Sequence, residues 1–166
     1  AEVPARTGLE KPNETLILDE WSDQKLASGE YEKAPPNCSW ASRLHIAKKP
    51  IPGEPKDGQF KTRVCHDLVR VNTTQKRAVS NYPSTRVQIE NMAGHRLYIS
   101  TDAHSQFSAF PLAEGATRDA CAVWTPKHGL IRPKRLVFGH INAASYAQGA
   151  FRRFMANDLT PDDRRH

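Results

Sequence analysis

The sequence predicts an α+β fold. Two runs of strand character flank a connector rich in proline and glycine, which is the pattern of a hairpin. Ala143, Ala147, Ala150, Phe151, Phe154 and Met155 recur at helical spacing, so the chain combines hairpins with amphipathic helices. Neither an internal repeat nor a low-complexity tract is present, and 166 residues with 38% hydrophobic content suffice for one core.

Residues 1–14 are polar and contain Pro4, Gly8 and Pro12, so they read as an arm that is ordered only where something holds it. Leu16-Ile17-Leu18 supplies an apolar anchor. A short helix is expected over Trp21–Ser28, with Ser22 as its N-cap and Gly29 as its stop. Ala34-Pro35-Pro36-Asn37 breaks the chain. Ser39 to Ala47 then reads as a strand ended by Lys48-Lys49-Pro50, and a second strand spans Lys61 to Val71. The connector between them is Pro50-Ile51-Pro52-Gly53-Glu54-Pro55-Lys56-Asp57-Gly58. A helical or irregular segment follows over Pro83–Met92, with Gly94 as its stop. Short strands are expected at Leu97–Asp102, Ala120–Trp124 and Arg135–Phe138, and a last helix starts near Asn142. These features divide the chain into an acidic arm with a short helix (1–37), a hairpin region (38–82), a third region (83–159) and a polar tail (160–166).

The net charge of +6 conceals an asymmetry. Residues 1–37 hold eight acids against four bases, a balance of −4, while residues 38–166 hold twenty bases against ten acids, a balance of +10. A basic body of that size attracts phosphate backbones, although a solvated surface or a patch for an acidic protein would have the same composition. No apolar run approaches the roughly 20 residues of a membrane span. Cys38, Cys65 and Cys121 are odd in number and scattered, which favours a reduced, intracellular compartment over a disulfide framework. The spacing also argues against zinc, because Cys65 and His66 are adjacent in a strand and point to opposite faces. A nucleophile elbow and a phosphate loop of the Gly-x-x-x-x-Gly-Lys type are both absent.

Three blocks in fixed order carry a resemblance. The first runs from Ser39-Trp40-Ala41-Ser42-Arg43-Leu44 through Lys48-Lys49, Lys56-Asp57-Gly58 and Thr62-Arg63-Val64-Cys65-His66-Asp67-Leu68 to Asn72. The second is Thr101-Asp102-Ala103-His104-Ser105-Gln106-Phe107-Ser108-Ala109-Phe110-Pro111-Leu112. The third comprises Ala122-Val123-Trp124-Thr125-Pro126, Arg135-Leu136-Val137-Phe138-Gly139 and Asn142-Ala143. Together they cover about residues 26–159 and resemble the fingers and partial palm of the reverse transcriptases of gypsy-type retrotransposons and retroviruses.

The resemblance implies roles for particular residues. Asp102 and the backbone carbonyl of Ala103 match the family's first Mg2+ ligands and Asp102 its catalytic aspartate, although an aspartate at a strand end is otherwise a common turn former. Lys48 or Lys49, and Arg63, match cations that contact the nucleotide triphosphate. Phe107 matches the aromatic under the incoming sugar, and Phe138-Gly139 the turn beside the nucleotide. Without the resemblance these are surface charges, a core aromatic and a simple turn. The family completes its metal site with a Tyr-x-Asp-Asp hairpin, for which Asp162-Asp163, between Pro161 and two arginines, is a poor match. Val69 also stands where the family has arginine, with Arg70 adjacent, and the fingers connector is long. The expectation is a retroelement-derived domain that is non-catalytic as this chain, with Mg2+ relevant only to a complete site. It would serve as a structural subunit of a larger protein or ribonucleoprotein assembly, contacted through the N-terminal arm, with RNA or DNA on the basic body. The alternative is a fragment of an active RNA-directed DNA polymerase.

Overall fold

Helix α1, Pro12–Ala27, opens the computed structural model, which describes residues 12–51, 60–79, 84–100, 103 and 105–158. Proline suits the first helical turn because the N–H it lacks would have no helical partner there. Glu14 in the first turn and Lys25 in the last complement the helix dipole. Gly29, at φ +70°, ends the helix with its N–H on the Leu26 carbonyl. The helix is therefore longer than expected, and Ser22 is not its N-cap. Ser22 lies fully buried inside it, with Oγ donating to the Asp19 carbonyl one turn back, a local bond that satisfies the hydroxyl without ending the helix.

The anchor run splits according to helical geometry: Leu18 is buried, Leu16 is exposed, and Trp21 and Leu26 pack with Leu18's face of the helix toward the body of the chain. Residues 12–14 of the expected arm thus begin a helix, and residues 1–11 lie outside the described ones.

The helix leads into β1 (Tyr31–Lys33), the first strand of an antiparallel three-stranded sheet of order β1-β5-β4, with β4 at Val123–Thr125 and β5 at Gly129–Pro133. Tyr31 pairs with Pro133 and Val123 with Ile131, so these four lie on one face, and Glu32 pairs with Arg132 on the other. The first face meets Leu68, Val71, Ala120, Cys121 and Val137 to form the core, with Trp21, Leu26, Trp40 and Leu44 packed around it.

On the second face Arg132 donates to Glu32 at 2.8 Å and to Asp119 at 2.6 Å, and Arg118 reaches Glu32 at 3.1 Å. This network ties the short helix α4, Ala116–Ala120, to β1 and β5. Burial raises the pKa of the Glu32 carboxyl, but the two guanidinium groups outweigh it and hold that carboxyl below the usual range.

The expected hairpin is present: β2 (Leu44–Pro50) pairs antiparallel with β3 (Phe60–His66), and residues 52–59 of the connector lie outside the described ones. Both strands differ in extent from the expectation. β2 begins later and includes Lys48-Lys49-Pro50, while β3 stops at His66. There the Asp67 carboxylate accepts the Val69 N–H, an Asx-type turn that redirects the chain into α2, Val69–Thr74. The segment before β2 joins the sheet through Ser42, which exchanges backbone bonds with Ala122 and Trp124.

α3 spans Thr85–Met92, within the expected helical segment, and buries none of its residues. Residues 97–100 form no strand and are exposed, since a strand needs a neighbour to pair with. Thr101 and Asp102, the end of that expected strand, lie outside the described residues. Residues 116–120 are helical, which shortens the expected strand to β4. Arg135–Phe138 is likewise not a strand. Past Pro133 only the Lys134 N–H bonds back, to the Glu30 carbonyl, and Arg135 makes just an isolated bridge to Pro111. α5, Ala143–Asp158, starts where expected and buries Ala143 and Ala147, while Phe151 and Phe154 are exposed. No helix among the described residues is long and apolar enough to cross a membrane.

Candidate functional site

Phe107 and Phe138 meet edge to face, with ring centroids 4.6 Å apart and planes at 83°. Phe107 stands on a single 3-10 turn, Gln106–Ala109, entered through Ser105 at φ +50°. The segment after it is held beside the Phe138 segment by backbone bonds from Leu112 to Lys134 and from Leu136 to Phe110. Phe110 in turn packs edge-on against Tyr146 of α5, centroids 5.6 Å apart. Phe138 is 66% exposed, so the aromatic pair presents a ring to solvent.

Gly139 follows at φ +90°, a conformation that L side chains rarely adopt. The Asn72 side chain spans this turn: Nδ2 donates to the Gly139 carbonyl at 2.8 Å and Oδ1 accepts the Ile141 N–H at 2.9 Å. The next residue, His140, accepts the Asn142 N–H on Nδ1, and burial lowers its pKa, which keeps that nitrogen available as an acceptor.

On the hairpin, Lys49 pairs with Lys61, Ala47 with Arg63 and His45 with Cys65, so one face carries Lys49, Lys61, Arg63 and His45. Lys48, as the neighbour of Lys49, projects to the other face beside Thr62. Register thus separates the two lysines that sequence left as alternatives, and places Lys49 with Arg63. Arg70 sits over the Trp40 ring, 5.8 Å from its centroid, while Val69 is 70% exposed. Arg70 therefore packs on an aromatic face.

Of the expected site residues, Phe107, Phe138 and Gly139 come together, and Lys49 and Arg63 share a strand face. Ala103 is exposed and belongs to no helix or strand, while Asp102 and His104 lie outside the described residues. Among the described residues no group of three or more His, Cys, Asp or Glu side chains has the arrangement of a metal site. Sequence reading missed Lys61, although its spacing of two from Arg63 is the signature of one strand face. It also gave no role to the side chains of Asn72 and Asn142, whose backbone bonds have no sequence signal beyond an amide at the edge of each block.

No protein-family model matches the chain, and no curated protein matches it.

Proposed function

We propose that this chain is a retroelement-derived, reverse-transcriptase-like fingers-and-palm segment that presents a nucleotide- and nucleic-acid-facing surface and does not polymerise by itself. One observation supports the reading above the others: side chains from three blocks far apart in sequence meet at one turn. Asn72 of the first block holds Gly139 of the third, and Phe107 of the second packs on Phe138. Chance agreement of three short motifs with a family pattern does not require them to converge in space. The cationic face formed by Lys49, Lys61 and Arg63 adds the charge that phosphate oxygens need.

Two-ion phosphoryl transfer needs several carboxylates to converge, and the resemblance assigns only Asp102. Polymerisation by these 166 residues is accordingly not part of the proposal, and neither is Mg2+ as a resident ion. A place in a larger protein or ribonucleoprotein assembly is retained, but Leu18 and Trp21 pack within the chain, so contact through that stretch is not the reading.

The test is binding of a fluorescent RNA–DNA hybrid across a salt series, with primer extension on an RNA template measured beside it. Binding should weaken steeply with salt, and the triple change Lys49→Ala, Lys61→Ala, Arg63→Ala should make the log–log slope shallower by about two to three. No binding at low salt, or a slope that the triple variant leaves unchanged, would refute the nucleic-acid surface. Extension that Asp102→Asn abolishes would refute the non-catalytic reading.

A further inference from the structure

Asn72 is not alone in gripping backbone across the molecule. From the opposite direction, Asn142 Oδ1 accepts the Ala78 N–H at 2.8 Å and Asn142 Nδ2 donates to the Lys76 carbonyl at 2.9 Å. Each side-chain amide therefore bonds the C=O of one residue and the N–H of the residue two further on: Gly139 and Ile141 for Asn72, Lys76 and Ala78 for Asn142. That is the pattern one residue of a parallel strand makes with its neighbour. The two segments are thus stitched twice without forming a sheet, and each supplies the amide that binds the other.

The arrangement has a directional consequence. Gly139 at φ +90° has little steric restraint of its own, and the residue before it, Phe138, is mostly exposed. The Leu136–Phe110 backbone bond anchors the segment before Phe138; after it, the ring's place against Phe107 is set from outside the turn, by Asn72 at the Gly139 carbonyl and by Asn142 holding the segment that follows Asn72. Asn72 itself is carried by α2, whose Val71 is wholly buried, so one end of the stitch is rooted in the core.

We propose that Asn72 and Asn142 form a reciprocal clamp that positions Phe138 on Phe107, and that the clamp sets how tightly a nucleotide is held at the aromatic pair. The second half rests on the reading under Proposed function; the first does not. Neither asparagine is a catalytic residue, because both act through the turn.

The test uses the whole chain with Asn72→Ala, Asn142→Ala, the double variant and the milder Asn142→Asp, which keeps an acceptor for Ala78 and loses the donor to Lys76. Native tryptophan fluorescence reports whether each variant folds. The amide resonances of Gly139 and Ile141 and the ring protons of Phe138 should move in every variant, including Asn142→Ala, whose side chain touches neither residue 138 nor residue 139. Affinity for a fluorescent deoxynucleoside triphosphate should fall about tenfold in either alanine variant and no further in the double one, as expected for groups that act as a unit. A folded Asn142 variant with unmoved Phe138 and Gly139 resonances would overturn the clamp, as would losses of affinity that simply multiply in the double variant. If the unaltered chain binds no nucleotide, the ligand half of the proposal falls and the resonances decide the positioning half.

Discussion

Replacing His66 with glutamine should remove much of the fold's sensitivity to mild acid. His66 ends β3 and hydrogen-bonds through Nε2 to the Tyr31 hydroxyl at 2.7 Å. Its Nδ1 is out of solvent and has no hydrogen-bond partner among the described residues, and the Trp21 ring lies edge-on at 6.1 Å. Burial, with a smaller effect from the Lys25 charge, lowers its pKa from 6.5 to about 4. The unfolded chain therefore takes up a proton first as pH falls. Stability is full above about 6.5 and declines toward about 4, and at about 1.4 kcal/mol per pKa unit the loss comes to about 3 kcal/mol. His140, also lowered by burial, contributes in the same direction but equally in both proteins. Asp23 and Glu32, both held below the ordinary carboxylate range, give up their contributions only at lower pH. Urea unfolding at pH 7.5, 6.0, 5.0 and 4.5, followed by tryptophan fluorescence, should show the unaltered chain losing stability over this interval by roughly 2–3 kcal/mol more than the glutamine variant. Parallel curves for the two proteins would refute the argument, because glutamine keeps an acceptor for Tyr31 and differs chiefly in being unable to titrate.

Changing Arg132 to alanine strands Glu32 and Asp119 without the guanidinium they share, and should cost about 3 kcal/mol in chemical denaturation; lysine, which lacks the fork, should restore only part of it. Leu18→Ala should destabilise the chain by about 3 kcal/mol, and amides of residues 18–26 should be protected from hydrogen exchange in the isolated protein; fast exchange there would mean that α1 docks elsewhere. Gly139→Ala should cost about 1–2 kcal/mol through backbone strain rather than collision, since the added Cβ would meet the His66 carbonyl at an ordinary 3.7 Å. Thermal melts of this variant should show that loss, and an unchanged melting temperature would mean that the turn accommodates a side chain.

Helices with regular spacing and sharp ends were the most legible parts of the sequence. Ala143 and Ala147 mark the buried face of α5, and Gly29 marks the end of α1. The start of α1 is not legible, because Ser22 has the chemistry of an N-cap but satisfies its hydroxyl within the helix. β3 was overextended for a related reason: Leu68 and Val71 are apolar and fit a strand, yet the Asp67 side chain turns the backbone into α2 and the core accepts both residues from there. Strand pairing at residues 97–100 was not decidable from propensity, since a β-type run needs a partner that local sequence does not specify. At the candidate site, the aromatic pair and the glycine were legible as motif positions. Lys61 was legible only as a residue two from Arg63, its pairing with Lys49 lying in register, and the two asparagines were not legible because their significance lies in contacts across more than sixty residues.

The ion pairs of α1 and β1 have a consequence for the proposed polyanion-facing surface. Asp23 binds Lys127 and His128, Glu30 binds Lys25, and Glu32 binds Arg118 and Arg132. Those acids cancel positive charge around the three-stranded sheet, whereas among the described residues none of Lys49, Lys61 and Arg63 has a carboxylate partner. Among the described residues the pairing is thereby lopsided, with the acids gathered at the sheet and the hairpin cations left without them. In the field of a phosphate chain such a body experiences a torque as well as an attraction, and turns its hairpin inward before any contact forms. Replacing Asp23 with asparagine would then strengthen the attraction at low salt but spoil its aim, so that a smaller share of encounters leads with the hairpin.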